Sequence, residues 1–149
     1  MSLTYVIGLG KSGIGAARLL KYEKRKVIIL EEKENDKLNM LAKELGEEGI
    51  EVRLNNALKI ESMRDDINKI QEVVISPGIP WDNPTLNELR KKGIRVRSEI
   101  SIGWEHLNHI PWVGITGTNG KTTVTHLLHH VLKSKGIRSA IGGNVGNPA

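Results

Sequence analysis

Short runs of β-branched residues alternate with amphipathic stretches through the first 97 residues, and that alternation leaves few folds open. Residues 4–9 (TYVIGL), 26–30 (KVIIL), 50–54, 72–76 (EVVIS) and 94–97 read as strands. Between them, residues 12–22 carry Ile14, Ala17 and Leu20 at helical spacing, and residues 36–48 carry Leu38, Leu41, Ala42 and Leu45 on one face. Residues 57–70 are predicted helical. Asn83 caps a further helix that has Pro84 at its first position, runs to Lys92 and stops at Gly93. The order β-α-β-α-β-α-β-α-β is that of an α/β fold with a mostly parallel sheet, because parallel neighbours require a crossover and that crossover is usually a helix.

A second unit is expected from residue 98. Its predicted parts are a helix over 98–107, a strand over 112–116 (WVGIT), a helix over 120–135, a strand over 137–141 and a loop over 142–148 (GGNVGNP). Two strands and two helices cannot cover both faces of a parallel sheet. The expected organisation is therefore a Rossmann-like parallel-sheet domain over 1–97 and the opening of a P-loop α/β domain over 98–149, cut inside that second domain.

Composition narrows the function. The chain has 149 residues, 38% of them hydrophobic, with no Phe, so its core is built from aliphatic side chains. The absence of cysteine excludes disulfides and thiolate metal sites and suits a reducing compartment. No apolar run approaches the ~20 residues of a membrane span, and the N-terminus enters a strand without a signal pattern. A cytoplasmic monomer without membrane insertion is expected. The net charge of +5 is spread among acidic residues and is not interleaved with aromatics, which argues against nucleic-acid binding but suits phosphorylated ligands.

Two glycine loops carry the chemistry. Gly8-Leu9-Gly10-Lys11-Ser12-Gly13 fits G-x-G-x-x-G between a strand and a helix. Glycines there permit a tight turn and close approach of backbone to ligand, and the helix N-terminus offers free N–H groups to an anion. Glu31 ends the second strand, where a dinucleotide enzyme holds a ribose hydroxyl. NAD and UDP-sugar sites both use such a loop. The second loop, Gly117-Thr118-Asn119-Gly120-Lys121-Thr122-Thr123, follows WVGIT and precedes a helix. Its backbone N–H groups can wrap a phosphate, Lys121 can reach the β/γ phosphates, and the Thr122 hydroxyl can bind Mg²⁺. A strict Walker A pattern would need glycine at 115, which is Ile115. Asn119 suits a left-handed turn position.

Together the two loops resemble the Mur ligase family of bacterial cell-wall synthesis. Its members carry a Rossmann-like first domain for the UDP end of the substrate, a central ATPase domain opening on G-T-N-G-K-[ST], and a C-terminal domain for the incoming amino acid. The segments GLGKSG, VVISPGIPWDNP (73–84), SEISIGW (98–104) and GGNVGNP are most similar to the D-glutamate-adding branch of the family. The resemblance implies ATP and Mg²⁺ as cofactors, and UDP-N-acetylmuramoyl-L-alanine and D-glutamate as substrates. It puts Gly8, Gly10, Lys11, Ser12 and Gly13 at the diphosphate–uridine end, and Glu31, Glu32 and Lys33 at the uracil and ribose, where the family more often has Asp-Thr-Arg. It puts Gly78 and Asn144 on the UDP-sugar and Gly117–Thr123 on ATP. Lys121 and Thr122 are then the catalytic pair, with Thr122 on the metal. Ser101 stands where the family often has Glu.

Other features invite a blander account. His126, His129 and His130 fall opposite the stripe Val124, Leu127, Leu128, Val131 and Leu132, which is expected to be buried, so the histidines read as a solvated face rather than a metal pair. Trp81, Trp104 and Trp112 read as packing or junction residues. The competing functions are another Mur ligase (adding L-alanine or a diamino acid), a folylpolyglutamate synthetase, a non-catalytic nucleotide-binding module, and an NAD-dependent oxidoreductase that leaves the second loop unexplained.

Overall fold

The computed structural model describes residues 2–143. Five strands form one parallel sheet: β1 (Leu3–Ile7), β2 (Lys26–Leu30), β3 (Glu51–Arg53), β4 (Ile70–Ile75) and β5 (Arg95–Ser98), in the order β3-β2-β1-β4-β5. Helices α1 (Lys11–Tyr22), α2 (Asp36–Glu47), α3 (Pro84–Lys91) and α4 (Glu99–Leu107) connect or follow these strands, and α5 (Lys121–Ser134) comes last.

The strands sort their side chains by alternation, as a sheet covered on both faces requires. Tyr5, Ile7, Ile28, Leu30, Val73 and Ile75 point to one face, where Met63 and the α3 residues Leu86 and Leu89 cover them. Val6, Val27, Ile29 and Val74 point to the other, against Ala16, Ala17 and Leu20 of α1, Leu45 of α2 and Ile102 of α4. Local chemistry sets the helix ends. The Asn35 side chain accepts from the Leu38 N–H at 3.0 Å and starts α2. Asn83 accepts from the Thr85 N–H at 2.9 Å ahead of Pro84. Ser98 caps α4.

Two polar clusters lock the frame. Tyr5 Oη donates to Asp66 Oδ2 at 2.8 Å, while Arg53 donates to Tyr5 Oη at 2.8 Å and to Asp66 at 2.9 Å. The hydrogen bond from Tyr5 and the Arg53 guanidinium hold the Asp66 carboxyl below the usual carboxylate range, and burial pushes the Tyr5 phenol up. A lowered carboxyl contributes stability above its unfolded pKa and loses it as pH falls through the folded value. Tyr5→Phe is expected to cost about 1–2 kcal/mol at pH 7. Urea unfolding should show that gap narrowing below the ordinary aspartate range, as Asp66 is protonated in both proteins. The second cluster centres on buried Glu72, which pairs with Arg25 at 2.7 Å and Arg97 at 3.3 Å. Arg97 also pairs with Glu105 at 2.8 Å and donates to the Ser101 carbonyl at 2.8 Å, tying α4 to the sheet.

The structure departs from the sequence reading in three stretches. Residues 57–70 form only a six-residue 3₁₀ helix, Glu61–Asp66, in place of a long α-helix. Ser62, Asp65, Asp66 and Asn68 compete for backbone hydrogen bonds, and one such bond is visible: Ser62 Oγ donates to the Ala57 carbonyl at 2.8 Å, while the Asp66 side chain turns inward to accept from Tyr5 Oη. Residues 112–116 and 137–141 pair with no strand among the described residues. A parallel strand exists only through its ladder. Correspondingly, α5 has no buried residue, and its apolar stripe is open, with Val124, Leu127 and Val131 exposed.

Candidate functional site

In the order β3-β2-β1-β4-β5 the chain leaves β1 toward one edge and later returns on its other side at β4. The carboxyl ends of β1 and β4 therefore flank a switch-point crevice, where open α/β sheets bind ligands. The first glycine loop fills its floor. Gly8 adopts φ +102° and donates its N–H to the Leu30 carbonyl at 2.8 Å. Gly13 is buried in the first turn of α1, and a Cβ there would sit 2.2 Å from the Gly8 carbonyl oxygen. Glycine at 13 is thus what lets the helix start this close to the strand. At the helix N-terminus, Gly10 has no side chain to cap with and the first turn holds no acidic residue. A helix N-terminus without an acidic side chain favours an anion. Lys11 is exposed and Ser12 half-buried on that turn.

Glu31 forms one wall. Its Oε2 accepts from the Leu9 N–H at 2.8 Å and its Oε1 from the Lys33 N–H at 3.0 Å, so one carboxylate staples the loops after β1 and β2 together. A group held that way points lone pairs at ligand hydroxyls and would repel a phosphate, which matches a ribose or base contact better than a diphosphate one. Glu32 and Lys33 are exposed beside it. On the opposite wall, Gly78 is exposed in the loop after β4. Ser76, which the sequence reading did not single out, donates from Oγ to the Ile7 carbonyl at 3.1 Å and joins the two strand ends. Its only sequence signal was its place in the S-P-G segment. Asn144 lies outside the described residues.

The second loop has the geometry of an anion cradle. Gly117 and Gly120 take φ +150° and +73°, so the left-handed position falls to Gly120 and not to Asn119. Gly120 starts α5, whose first turn carries no acidic residue. Lys121 Nζ folds over the loop and donates to the carbonyls of Gly117 and Thr118. Thr118, Thr122 and Thr123 are exposed around it. A phosphate would offer Lys121 a charged acceptor in place of two neutral carbonyls, a stronger hydrogen bond. The Thr122 hydroxyl, on the first turn and open to solvent, is of the oxygen type that Mg²⁺ takes.

The remaining singled-out residues lie apart from these loops' chemistry. His129 Nδ1 pairs with Ser139 Oγ at 2.8 Å, while His126 and His130 are exposed. Trp81 is exposed with the Arg90 guanidinium 4.6 Å from its ring centre. Trp104 and Trp112 meet edge to face at 5.4 Å, and Trp112 Nε1 donates to the Leu107 carbonyl at 2.9 Å, which fastens the chain leading to the second loop onto the end of α4. Among the described residues no helix is long and apolar enough to cross a membrane.

Comparison with known proteins bears on both loops. Residues 2–98 match the family "Mur ligase MurD-like, N-terminal domain", and residues 115–148 match "Mur ligase middle domain". The chain is 54% identical over 146 residues to the UDP-N-acetylmuramoylalanine–D-glutamate ligase of Synechococcus sp. (strain CC9902), covering 98% of this chain and 32% of that protein. It is 52% identical over 149 residues to the ligase of the same name from Prochlorococcus marinus (strain MIT 9313), covering 100% and 32%. The chain thus spans about a third of the length of the curated relatives it matches. Among solved structures, a murein peptide ligase from Psychrobacter arcticus 273-4 superposes with a TM-score of 0.59 at 18% identity, over 91% of this chain and 27% of that one. The UDP-N-acetylmuramate:L-alanyl-gamma-D-glutamyl-meso-diaminopimelate ligase from Neisseria meningitides superposes with a TM-score of 0.58 at 22% identity, over 100% and 46%. These structures share the fold. With a MurD-like domain matched over most of its length and the start of the middle-domain match at its second glycine loop, the chain belongs to the Mur ligase family.

Proposed function

We propose that this chain carries the substrate loop and the ATP loop of an ATP-dependent ligase that joins D-glutamate to UDP-N-acetylmuramoyl-L-alanine during peptidoglycan precursor synthesis. The observation that carries this is the 54% identity over 146 residues to a ligase of that name. Residues 1–97 are the UDP-substrate domain and residues 98–149 open the central ATP-binding domain.

In this function the N–H groups around Gly8, Gly10, Lys11, Ser12 and Gly13 receive the diphosphate. Glu31, Glu32 and Lys33 meet the ribose and uracil, and Gly78 and Asn144 meet the sugar side. Gly117–Thr123 wrap the ATP phosphates. The γ-phosphoryl group passes to the substrate carboxylate oxygen, the bond to the β-phosphate oxygen breaks, and ADP leaves an acyl phosphate. The D-glutamate amine then attacks the acyl carbon, giving up a proton, and inorganic phosphate departs as the amide forms. Lys121 neutralises charge that develops on the phosphoryl oxygens. Thr122 would hold Mg²⁺, which would add to that neutralisation of phosphate charge. In this reading the ligase is cytoplasmic, where its nucleotide substrates are found, and acts as a monomer.

The test is phosphate release by a ligase of full family length that contains these residues. Release that requires UDP-N-acetylmuramoyl-L-alanine and D-glutamate supports the assignment. Release driven instead by L-alanine or a diamino acid moves the chain to another branch of the family. The 149-residue chain alone is expected to show no turnover, because it spans about a third of its relatives.

A further inference from the structure

Asn119 is the one asparagine in the sequence that is followed by glycine, and the pair lies in the second loop. An asparagine side chain can close on the backbone nitrogen of the next residue. That nitrogen bonds to Cγ, the bond from Cγ to the side-chain nitrogen breaks, and ammonia leaves with the backbone proton. Water then opens the ring. Opening at Cγ gives aspartate, and opening at the α-carbonyl gives isoaspartate, which routes the chain through the former side chain. Closure is favoured when no side chain shields the attacking nitrogen, when its N–H is not held in a hydrogen bond, and when the amide is free to turn.

Asn119 meets all of these conditions. Residue 120 has no Cβ, and one built there would meet nothing within 4 Å. Gly120 stands ahead of the first turn of α5 at φ +73°, and among the described residues nothing accepts from its N–H. Asn119 is exposed, and its side chain has no hydrogen bond among the described residues. The other described asparagines each fail a condition. The Asn35 and Asn83 side chains are engaged as caps, and Asn83 precedes a proline, which has no N–H. Asn56 and Asn87 donate to the Leu54 and Asp82 carbonyls. After Asn55 and Asn68 the next N–H is taken, by the carbonyls of Glu31 and Asp66 at 2.9 and 2.7 Å. Asn39 lies inside α2, where the next N–H points back to a carbonyl one turn earlier. Asn108 is exposed at the end of α4, but the nitrogen after it is shielded by the side chain of His109.

We propose that Asn119 is a site of spontaneous modification, where ring closure onto the Gly120 nitrogen replaces an amide by a carboxylate in the anion cradle and shuts the loop to phosphates. Both products put a negative charge two residues from Lys121, in a loop whose helix start carries no acidic residue. Like-charge repulsion then opposes the phosphates that the loop would otherwise wrap. Isoaspartate also lengthens the backbone next to Gly120, whose positive φ shapes the cradle. A nucleotide in the loop holds it in one shape and slows closure, so the free protein ages faster than the nucleotide-bound form.

The loss of ATP affinity rests on the function proposed above; the modification does not. The chain is incubated warm at mildly alkaline pH, and peptide mapping by mass spectrometry, with enzymatic methylation of isoaspartate, locates the exchange of amide for acid. Conversion at Asn119 is expected to run about tenfold faster than at Asn108, a barrier lower by about 1.4 kcal/mol. Equal or slower conversion at Asn119 overturns the proposal. Calorimetry with ATP and Mg²⁺ reads the consequence. Asn119→Asp is expected to bind about fivefold more weakly than the parent at unchanged melting temperature, the effect of one added charge near the phosphates in water. The parent's affinity is expected to fall during incubation in step with conversion, and that of Asn119→Gln, which resists ring closure, to hold its starting value. Undiminished ATP binding by the converted chain or by Asn119→Asp overturns the proposal. A parent chain that converts at Asn119 without binding ATP counts against ATP as the ligand and upholds the modification site.

Discussion

Gly13→Ala is expected to destabilise the chain by about 3 kcal/mol, the upper range for overpacking a filled site, and to lower its melting temperature by roughly 10 °C. The added methyl would lie 2.2 Å from the Gly8 carbonyl oxygen. Neither partner can yield cheaply. The Gly8 carbonyl belongs to the turn that the Gly8 N–H anchors on Leu30, and Gly13 lies in the first turn of α1, whose Ala16, Ala17 and Leu20 are packed on the sheet. Relief requires α1 to move away from β1, which opens the crevice and displaces the N–H groups of the first turn. Affinity for the UDP substrate should fall by about tenfold or more in the fraction that stays folded, since each tenfold is only about 1.4 kcal/mol. Gly46→Ala is the matched control. Gly46 lies in α2 and a Cβ there meets nothing within 4 Å. That change should stabilise by about 0.5–1 kcal/mol, because alanine is the better helix former. Differential scanning calorimetry of the two variants should give shifts of opposite sign.

Lys121→Ala is expected to act on chemistry and leave stability alone. The Lys121 side chain is exposed and its bonds are to carbonyls of its own loop. Melting should therefore shift by no more than ~0.5 kcal/mol equivalent. In a ligase of full family length the same change removes the cation that meets the phosphates, and turnover should fall by roughly 10³-fold. Lys121→Arg is not expected to restore it, because a broad planar guanidinium cannot occupy the position of a compact ammonium between Gly117 and Thr118. Turnover within about tenfold of the parent, or an equal loss of melting temperature, would remove Lys121 from the mechanism.

Much of this was legible along the chain because it is local. The β-branched runs of β1, β2 and β4 and the Asn83-Pro84 start of α3 act within a few residues of themselves, and all formed as expected. Glycines at 8, 117 and 120 marked backbone that takes positive φ. What sequence could not supply was the outcome of competition across the fold. Spacing in residues 57–70 suits an α-helix, but Asp66 is drawn inward by Tyr5 and Arg53, which are 61 and 13 residues away. The stripe on α5 has the right period for burial, yet burial needs a surface to pack against, and none of the described residues provides one. In the site, Glu31 was recognisable from its position after β2, whereas its double use by the Leu9 and Lys33 N–H groups was not. Ser76 reaches the Ile7 carbonyl only because β1 and β4 pair in register, a fact no local pattern encodes.

The central claim is that the first glycine loop receives a UDP-linked substrate and not a dinucleotide cofactor. Isothermal titration of this chain with UDP-N-acetylmuramoyl-L-alanine, and separately with NAD, tests it most directly. The structure and the family assignment predict heat from the UDP substrate and none from NAD. Binding of NAD with no response to the UDP substrate would contradict the account.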